Sequence, residues 1–515
     1  MTQPSNSTQS SNNVSDKPGS GTCSIWEVSF NILNCTVGSG ILALPFALKE
    51  SGFGLGLTLS VIVGVLCWLA LYILIVSGQR IGVYKYAVLC EATMGRFGNY
   101  LLNGVIFFQS AGACITYMIV VGDTIPIIVE MFGINATRQS IIFVSSLIFI
   151  LPLLFYRSIG SLARSSIISV MTLPPILLVV AIRGFYYAPD HKRSYAFVGE
   201  NVFPAIGVMA FAMLSTQTAF LNFTAMVQPT RKAWAQATGI AVSLSWLVSF
   251  VFAIFGFVAF GVDVEANIFN SFPLTDGLIN VGRALLGFSM FLTFPQAFYP
   301  ARSALHSVFG HETHTRTPTD REHIYTTITL FIPILICGVF VKDLGLLYQL
   351  IGGFCSTFLA YIIPGACYFL IFWKHNGSIE GYGIPSETES DLHGQSRYDE
   401  DEDSSDDEQE RLIKQKLAAD KRSRLGQEEE AVAATTPLSQ STQRTSYGAT
   451  SASSSDNLSS AGSEATVTRT RSSSSSKGCK TELWLDIGAG VLLVFGIFVM
   501  VISTAITLKK MFGSL

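Results

Sequence analysis

The sequence predicts an all-α membrane protein of eleven transmembrane helices, built as a 5+5 inverted repeat with one further helix at the end. Three observations predict it. Hydrophobic residues make up 49% of the 515 residues and charged residues only 13%, where a soluble domain carries about 25% charged residues. Eleven apolar stretches reach the roughly 20 residues that a bilayer crossing takes. They lie near 25–48, 53–77, 99–122, 139–156, 165–187, 202–225, 236–260, 278–300, 324–341, 345–373 and 482–507. Two of them, the first and the sixth, are interrupted at mid-membrane depth by Gly, Pro and polar residues. Backbone groups find no water in hydrocarbon, so each stretch reads as helix.

The segments outside the spans follow from composition. Residues 1–24 are rich in Ser, Asn, Thr and Gln and read as a disordered cytosolic arm, without the basic start and apolar centre of a cleavable signal. Residues 25–373 hold the first ten spans and form the membrane core. The insert 374–481 is of another kind: its stretch 375–480 carries nineteen Asp/Glu against twelve Lys/Arg, with an acidic run at 399–410 and a serine run at 472–476. Too little apolar surface is present there to offset the entropy of ordering, which predicts disorder. Ser404 and Ser405 precede Asp406, Asp407 and Glu408 as an acid-directed phosphorylation motif, so kinases and cytosolic partners are candidates for 375–480; a solvated linker is the plainer reading. The last span, 482–507, leaves a short tail, 508–515.

Short-loop charge sets the orientation. With the N-terminus in the cytosol, the inner loops hold ten Lys/Arg, among them Arg157 and Arg164, and the outer loops hold five. Odd parity then places 508–515 in the lumen or outside the cell. No basic stripe of the kind that binds nucleic acid is present. The nine cysteines form no CxxC pair and read as small buried hydrophobes. His311 and His314, with His306 and His323 nearby, complete no zinc spacing and read as part of a solvated loop, so no metal is expected. Asn135-Ala136-Thr137 in an outer loop is a candidate glycosylation site. Gly52, Gly54 and Gly56 read as the start and packing face of the second helix.

The chemistry concentrates in the interrupted spans. The first places Asn34, then Gly38-Ser39-Gly40, then Pro45 in mid-membrane. Gly and Pro break the helix there, and unpaired backbone at that depth is tolerated only where it lines a cavity or meets a ligand. Amides opening the second half suit a carboxylate, and carbonyls ending the first half suit an ammonium group or a cation. Close packing through small residues is the competing reading. The sixth span repeats the pattern with Pro204, Gly207, Phe211, Ser215, Thr216 and Gln217, and such pairs point to a transporter's substrate site. In the eighth span Thr293, before Pro295, offers an oxygen to a small cation, or else simply precedes a kink. Asp123, Arg183 and Arg283 are the candidates for a proton site and none is central, which leaves both Na+ and H+ open as coupling ions.

From Asn34 through Gly38-Ser39-Gly40 and Pro45 to Lys49-Glu50-Ser51-Gly52, the first span resembles that of the amino acid/auxin permease family. The similarity is greatest to its sodium-coupled neutral amino acid transporter branch and the fungal vacuolar amino acid transporters. Gly122-Asp123, Pro204 with Phe211-Ala212, and Thr293-Phe294-Pro295 with Arg302 fit the same pattern, over 25–373 and the last helix. The resemblance implies a leucine-transporter-type fold and alternating-access symport or antiport of neutral, glutamine-like amino acids, with no enzymatic activity. It implies substrate contacts from Asn34, Gly38, Ser39, Gly40, Phe211, Ser215 and Thr216, and an ion site at Asn34 and Thr293. No cofactor is implied beyond Na+ as a coupling ion, and the membrane implied is vacuolar or lysosomal ahead of the plasma membrane. Departures from the pattern are Ser215-Thr216 in place of Cys-His, Ala225 in place of an acid, the missing outer cysteine pair and the large insert. Two other classes compete: an amino-acid sensor on the same fold, and a membrane-embedded enzyme, which would need His, Asp or Glu converging at one depth.

Overall fold

The computed structural model describes residues 21–155, 168–169, 171–192, 195–309, 318–374 and 483–513. The arm before residue 21, Arg157, Arg164, His311, His314 and the insert 375–480 with Ser404 and Ser405 lie outside the described residues. Thirteen helices follow in order: α1 (Ile25–Thr36), α2 (Leu44–Ser51), α3 (Phe53–Ile81), α4 (Tyr86–Glu130), α5 (Arg138–Leu154), α6 (Leu173–Tyr187), α7 (Val202–Ala212), α8 (Ala219–Thr224), α9 (Arg231–Phe260), α10 (Gly277–Val308), α11 (Asp320–Phe340), α12 (Leu344–Lys374) and α13 (Leu483–Gly513). Among the described residues eight helices are long and apolar enough to cross a membrane, with α7 and α8 counted together as Val202–Thr224. The first span is a ninth, bent by 52° between Ile25–Thr36 and Ser39–Ser51. α5 and α6 are shorter apolar helices.

Two helices run beyond the lengths read from hydropathy. The third span was placed at 99–122, whereas α4 covers Tyr86–Glu130 and turns at Gly95, where φ is 69°. Its polar inner part is helical because its side chains pair with one another: Asn99 Nδ2 donates to Glu91 Oε2 at 2.9 Å, and Asn103 Nδ2 donates to the Asn99 carbonyl at 3.0 Å. Mean hydropathy counts such residues against a span although their hydrogen bonds are met. The last helix continues past 507 to Gly513, taking in most of the expected tail, and Lys510 Nζ lies 3.5 Å from Glu50 Oε2 at the end of α2.

The apolar helices pack into one bundle around α4 and α10, which run against each other, while α13 covers α7 and α12 from outside. On α13, Val494, Phe498 and Val501 are exposed while Leu485, Leu492 and Val499 are buried. An apolar exposed face of this kind belongs against lipid. Contacts between helices use small residues: a Cβ on Gly207 would fall 2.7 Å from the Gly353 amide nitrogen, and one on Gly352 would fall 2.0 Å from the Gly207 carbonyl oxygen. Close backbone approach of this type substitutes for the hydrophobic driving force that lipid removes.

The four half-helices of the two broken spans are stitched at both ends of the bundle. At the end bearing the N-terminus, the Cys23 amide donates to the Ala225 carbonyl at 2.9 Å and the Val227 amide to the Cys23 carbonyl at 3.0 Å, joining the entry to α1 with the exit from α8. At the opposite end the Gly199 amide donates to the Ser51 carbonyl at 2.8 Å and the Asn201 amide to the Glu50 carbonyl at 3.0 Å, joining α2 to the entry of α7. The triad Gly52, Gly54, Gly56 does open the second long helix, and it also accepts this loop: Gly52 has φ 81°, and a Cβ there would fall 2.5 Å from the Gly199 nitrogen.

Charged groups at that same end, opposite the entry to α1, tie loops together. Arg138 reaches Asp123 at 3.4 Å and donates to the Val339 and Val341 carbonyls, each at 3.2 Å. Asp276 caps α10, pairs with Arg183 at 2.9 Å and accepts from the Tyr187 hydroxyl at 3.0 Å. Burial disfavours the Asp276 carboxylate, but the Ile279 amide, Tyr187 and Arg183 outweigh it and hold its pKa below the usual value. The cluster therefore contributes stability above the ordinary carboxylate pKa and loses it as pH falls through the lowered one. Arg283 is fully buried and donates to the Phe269, Phe272 and Pro273 carbonyls and to Asn280 Oδ1, closing the loop before α10. Arg283→Met removes all four donors, and each stranded buried acceptor costs about 1–3 kcal/mol. A clear fall in the unfolding temperature of the purified protein is expected, and an unchanged melting curve would show that the loop carbonyls find other partners.

Candidate functional site

The first span stops being α-helical at Thr36 and resumes as a 3-10 turn at Ser39–Ala43, with Gly38 extended at φ −115°, ψ −151°. The amides that open a helix have no acceptor within it, and the carbonyls that close one have no donor, so both kinds meet at this break. The sixth span breaks in parallel: α7 ends at Ala212, a 3-10 turn covers Thr216–Thr218, and α8 starts at Ala219. Gly40 brings the two breaks together, since a Cβ there would fall 2.8 Å from Ala212 Cα and 3.1 Å from Phe211 Cδ1. At Gly38 the same Cβ would meet only the Tyr117 hydroxyl, 3.9 Å away.

Between the breaks lies a cavity of about 220 Å³. Asn34, Gly38, Ser39, Gly40, Phe211, Ser215 and Thr293, all candidates from the sequence, line it together. Thr216 does not. Its hydroxyl donates to the Leu359 carbonyl on α12 at 3.0 Å, because a 3-10 turn points its three side chains in different directions. Its neighbours Ser215 and Gln217 face the cavity instead. Ser215 Oγ lies 3.7 Å from Cys67 Sγ, and that thiol donates to the Met213 carbonyl at 3.1 Å, satisfying backbone freed by the break.

The cavity is closed at one end and open at the other. Beyond Ser39 the fully buried Tyr348 donates its hydroxyl to the Ser39 carbonyl at 3.0 Å and sets its ring 5.1 Å from that of Phe211. Towards the N-terminal end the lining runs down one face of α10 through Ser289, Thr293, Gln296 and Pro300, and Cys35 is exposed. Eleven rises of 1.5 Å from Ser289 to Pro300 make this wall about 16 Å deep.

Several lining residues escaped the sequence reading: Gln109, Ser110 and Tyr117 on α4, Ser169, and Ser289 and Gln296 on α10. The spacing of Ser289, Thr293 and Gln296, four and then three residues, is a polar stripe at helical period and was readable. Ser169 Oγ lies 2.8 Å from Ser289 Oγ and 2.5 Å from Thr293 Oγ1, so Thr293 belongs to a cluster of hydroxyls. No charged side chain lines the cavity among the described residues. Asp123, Arg183 and Arg283, weighed as proton sites, are occupied in the outer clamps described above. His306 and His323 are buried on α10 and α11 rather than in a solvated loop. Asn135 is exposed, three residues before α5, and Thr137 caps that helix by accepting from the Ser140 amide at 3.3 Å.

An apolar bundle in which two broken spans face a cavity with no charged side chain among the described residues has the layout of a membrane transporter. The chain belongs to the transmembrane amino acid transporter protein family, whose profile matches residues 21–385. A putative sodium-coupled neutral amino acid transporter 11 of Bos taurus is 30% identical over 356 residues, covering 67% of this chain and 76% of the relative. Vacuolar amino acid transporter 2 of Saccharomyces cerevisiae is 29% identical over 357 residues, covering 65% of this chain and 74% of the relative. Among solved structures, MHP1, a nucleobase-cation-symport-1 family transporter in a closed conformation, aligns at 13% identity with a TM-score of 0.48, covering 70% of this chain and 81% of its own.

The two glycines separate packing from binding. Gly40→Ala forces a methyl into α7 and should cost about 1–3 kcal/mol of stability, as overpacking does. Gly38→Ala adds its methyl to the cavity, so thermal stability should hold within about 1 kcal/mol while amino acid uptake falls. Melting curves and proteoliposome uptake of the two variants check both; equal behaviour would remove the distinction.

Proposed function

We propose that this chain is a secondary transporter that moves neutral amino acids through the cavity by alternating access, coupled to Na+. The observation that carries the reading is the pairing of the two helix breaks across a cavity lined by no charged side chain among the described residues. The α-carboxylate of the substrate takes the free amides at Ser39 and Gly40, and its ammonium group takes the carbonyls that end α1, with Asn34 and Ser215 beside them. A zwitterion needs both poles of backbone dipole and no ionised side chain. Phe211 covers the substrate from the closed end. An eleven-span arrangement with a 5+5 inverted repeat accords with the two broken spans five apart, provided α5 and α6 supply the fourth and fifth crossings.

Coupling to Na+ is favoured over H+ by the lining itself. It offers hydroxyl and carbonyl oxygens, with Thr293 beside Ser169 and Ser289, and among the described residues no carboxylate, amine or imidazole that a transported proton could occupy. Hard cations take oxygen ligands. Asn34 and Thr293 are the proposed ion ligands. The names of the relatives support both the neutral substrate and, for the yeast protein, a vacuolar membrane; imaging a fluorescently tagged chain would show whether that address holds here.

Two measurements test the reading. Counterflow of neutral amino acids in proteoliposomes should fall several-fold when choline replaces Na+, and Thr293→Val should lose that dependence; undiminished uptake in choline would remove sodium. The exposed Cys35 thiol stands at the open end of the cavity. A small methanethiosulfonate reagent should therefore block uptake, a transported amino acid should protect, and Cys35→Ser should be insensitive. Labelling that substrate leaves unchanged would speak against this cavity as the path.

A further inference from the structure

We infer that a groove between α1 and α9 seats an anionic phospholipid of the cytosolic leaflet, its acyl chain against Trp26 and Ile240 and its phosphate at Lys232 and Arg231. The site lies apart from the central cavity and does not depend on what that cavity carries. α1 and α9 start at the same end of the bundle, just after Cys23 and Val227, which are bonded to each other. Short-loop charge assigns that end to the cytosol. Ser29 Oγ on α1 donates to the Ala237 carbonyl on α9 at 3.0 Å and sets the register of the pair. Beside this contact a groove of about 580 Å³ is lined by Ser24, Ile25, Trp26, Gln236 and Ile240. Its volume falls within the roughly 300–1,000 Å³ of small-molecule sites.

The two ends of the groove differ in chemistry. Trp26 is 60% exposed, and Phe30, one turn deeper on the same face, is 56% exposed. On α9 the exposed Leu247 lies two turns deeper than Ile240 on the same face. These apolar side chains run from the headgroup level, where Trp rings favour the interface, towards the acyl chains. At the mouth, Lys232 is exposed one turn before Gln236 and shares its face. Arg231 is also exposed, and its Nε donates to Gln79 Oε1 at 2.9 Å, a neutral partner. Glu27, the acid beside Trp26, is bent back onto the Ser24 amide at 2.7 Å and the Ser24 hydroxyl at 3.0 Å. An apolar slot with two cations at its mouth narrows the occupant. A sterol has one hydroxyl and no charge, so it would leave both cations unanswered. A zwitterionic headgroup would bring its own cation up to Lys232. An anionic phospholipid supplies both the chain and the charge, and each Lys or Arg near an anionic membrane surface is worth about fivefold in binding.

The test reads lipid at Trp26 directly. The purified full chain is reconstituted in phosphatidylcholine vesicles containing increasing fractions of phosphatidylserine brominated on its acyl chains, or of phosphatidylcholine brominated in the same way. Bromine quenches an indole that it touches. Trp26 is one of six tryptophans, so its signal is the fluorescence that Trp26→Phe removes. Half-quenching of that signal should come at a mole fraction of brominated phosphatidylserine at least about tenfold below that of brominated phosphatidylcholine. Lys232→Gln should raise the phosphatidylserine value about fivefold, and adding Arg231→Gln should bring it to the phosphatidylcholine value. Salt at about 1 M should do the same to the wild type, because exposed charges are screened there. Equal quenching by the two lipids would mean ordinary boundary lipid and would overturn the proposal. So would a phosphatidylserine preference that survives both the double variant and salt. Displacement of the brominated lipid by cholesterol at a lower fraction than by unbrominated phosphatidylserine would assign the groove to a sterol instead. Should the variants fail to reconstitute, the salt dependence of the wild type decides.

Discussion

Every peptide group in a bilayer must find its hydrogen bond inside the protein, and this chain interrupts its helical hydrogen bonding at two places a van der Waals contact apart. Around those two places the rest of the molecule is arranged. Cys67 supplies a donor for the Met213 carbonyl, Tyr348 supplies one for Ser39, and Thr216 turns its hydroxyl away to α12. Each of these contacts reduces the number of stranded groups. The first break itself lines the cavity.

Charge is distributed by the same logic. Among the described residues, the buried Arg283 holds loop carbonyls, the buried Asp276 holds the amides that open α10 and pairs with Arg183, and the buried Arg302 holds the Leu154 carbonyl. They are structural fasteners. The central wall, by contrast, is built from hydroxyls, amides and free backbone. A fixed charge there would select a charged solute and would hold it too strongly to release. Neutral dipoles bind an amino acid through its own charges and leave selection to weaker, more adjustable contacts.

The fold class was legible because lipid imposes long apolar runs and because Gly and Pro inside such runs have few other uses. The first break was legible for the same reason: Gly38-Ser39-Gly40 followed by Pro45 has no comfortable place in an intact membrane helix. What could not be read was direction. Ser215, Thr216 and Gln217 are equivalent in sequence, and only the 3-10 geometry decides that the middle one faces α12. Gln109 and Ser110 were hidden because isolated polar residues in a long apolar helix do not announce which neighbour they face. The part of α4 before Asn99 was missed because its polar residues lower the mean hydropathy, although Glu91 there is met by the Asn99 amide. Gly38 and Gly40 looked alike as letters, yet one borders empty space and the other touches a neighbouring backbone.

The paired backbone ladders at the two faces of the bundle have a mechanical meaning. Because the entry to α1 is laced to the exit of α8, and α2 to the entry of α7, neither half of a broken span can swing outward alone without surrendering main-chain hydrogen bonds to hydrocarbon or to water. The four pieces are thereby yoked into a single carriage.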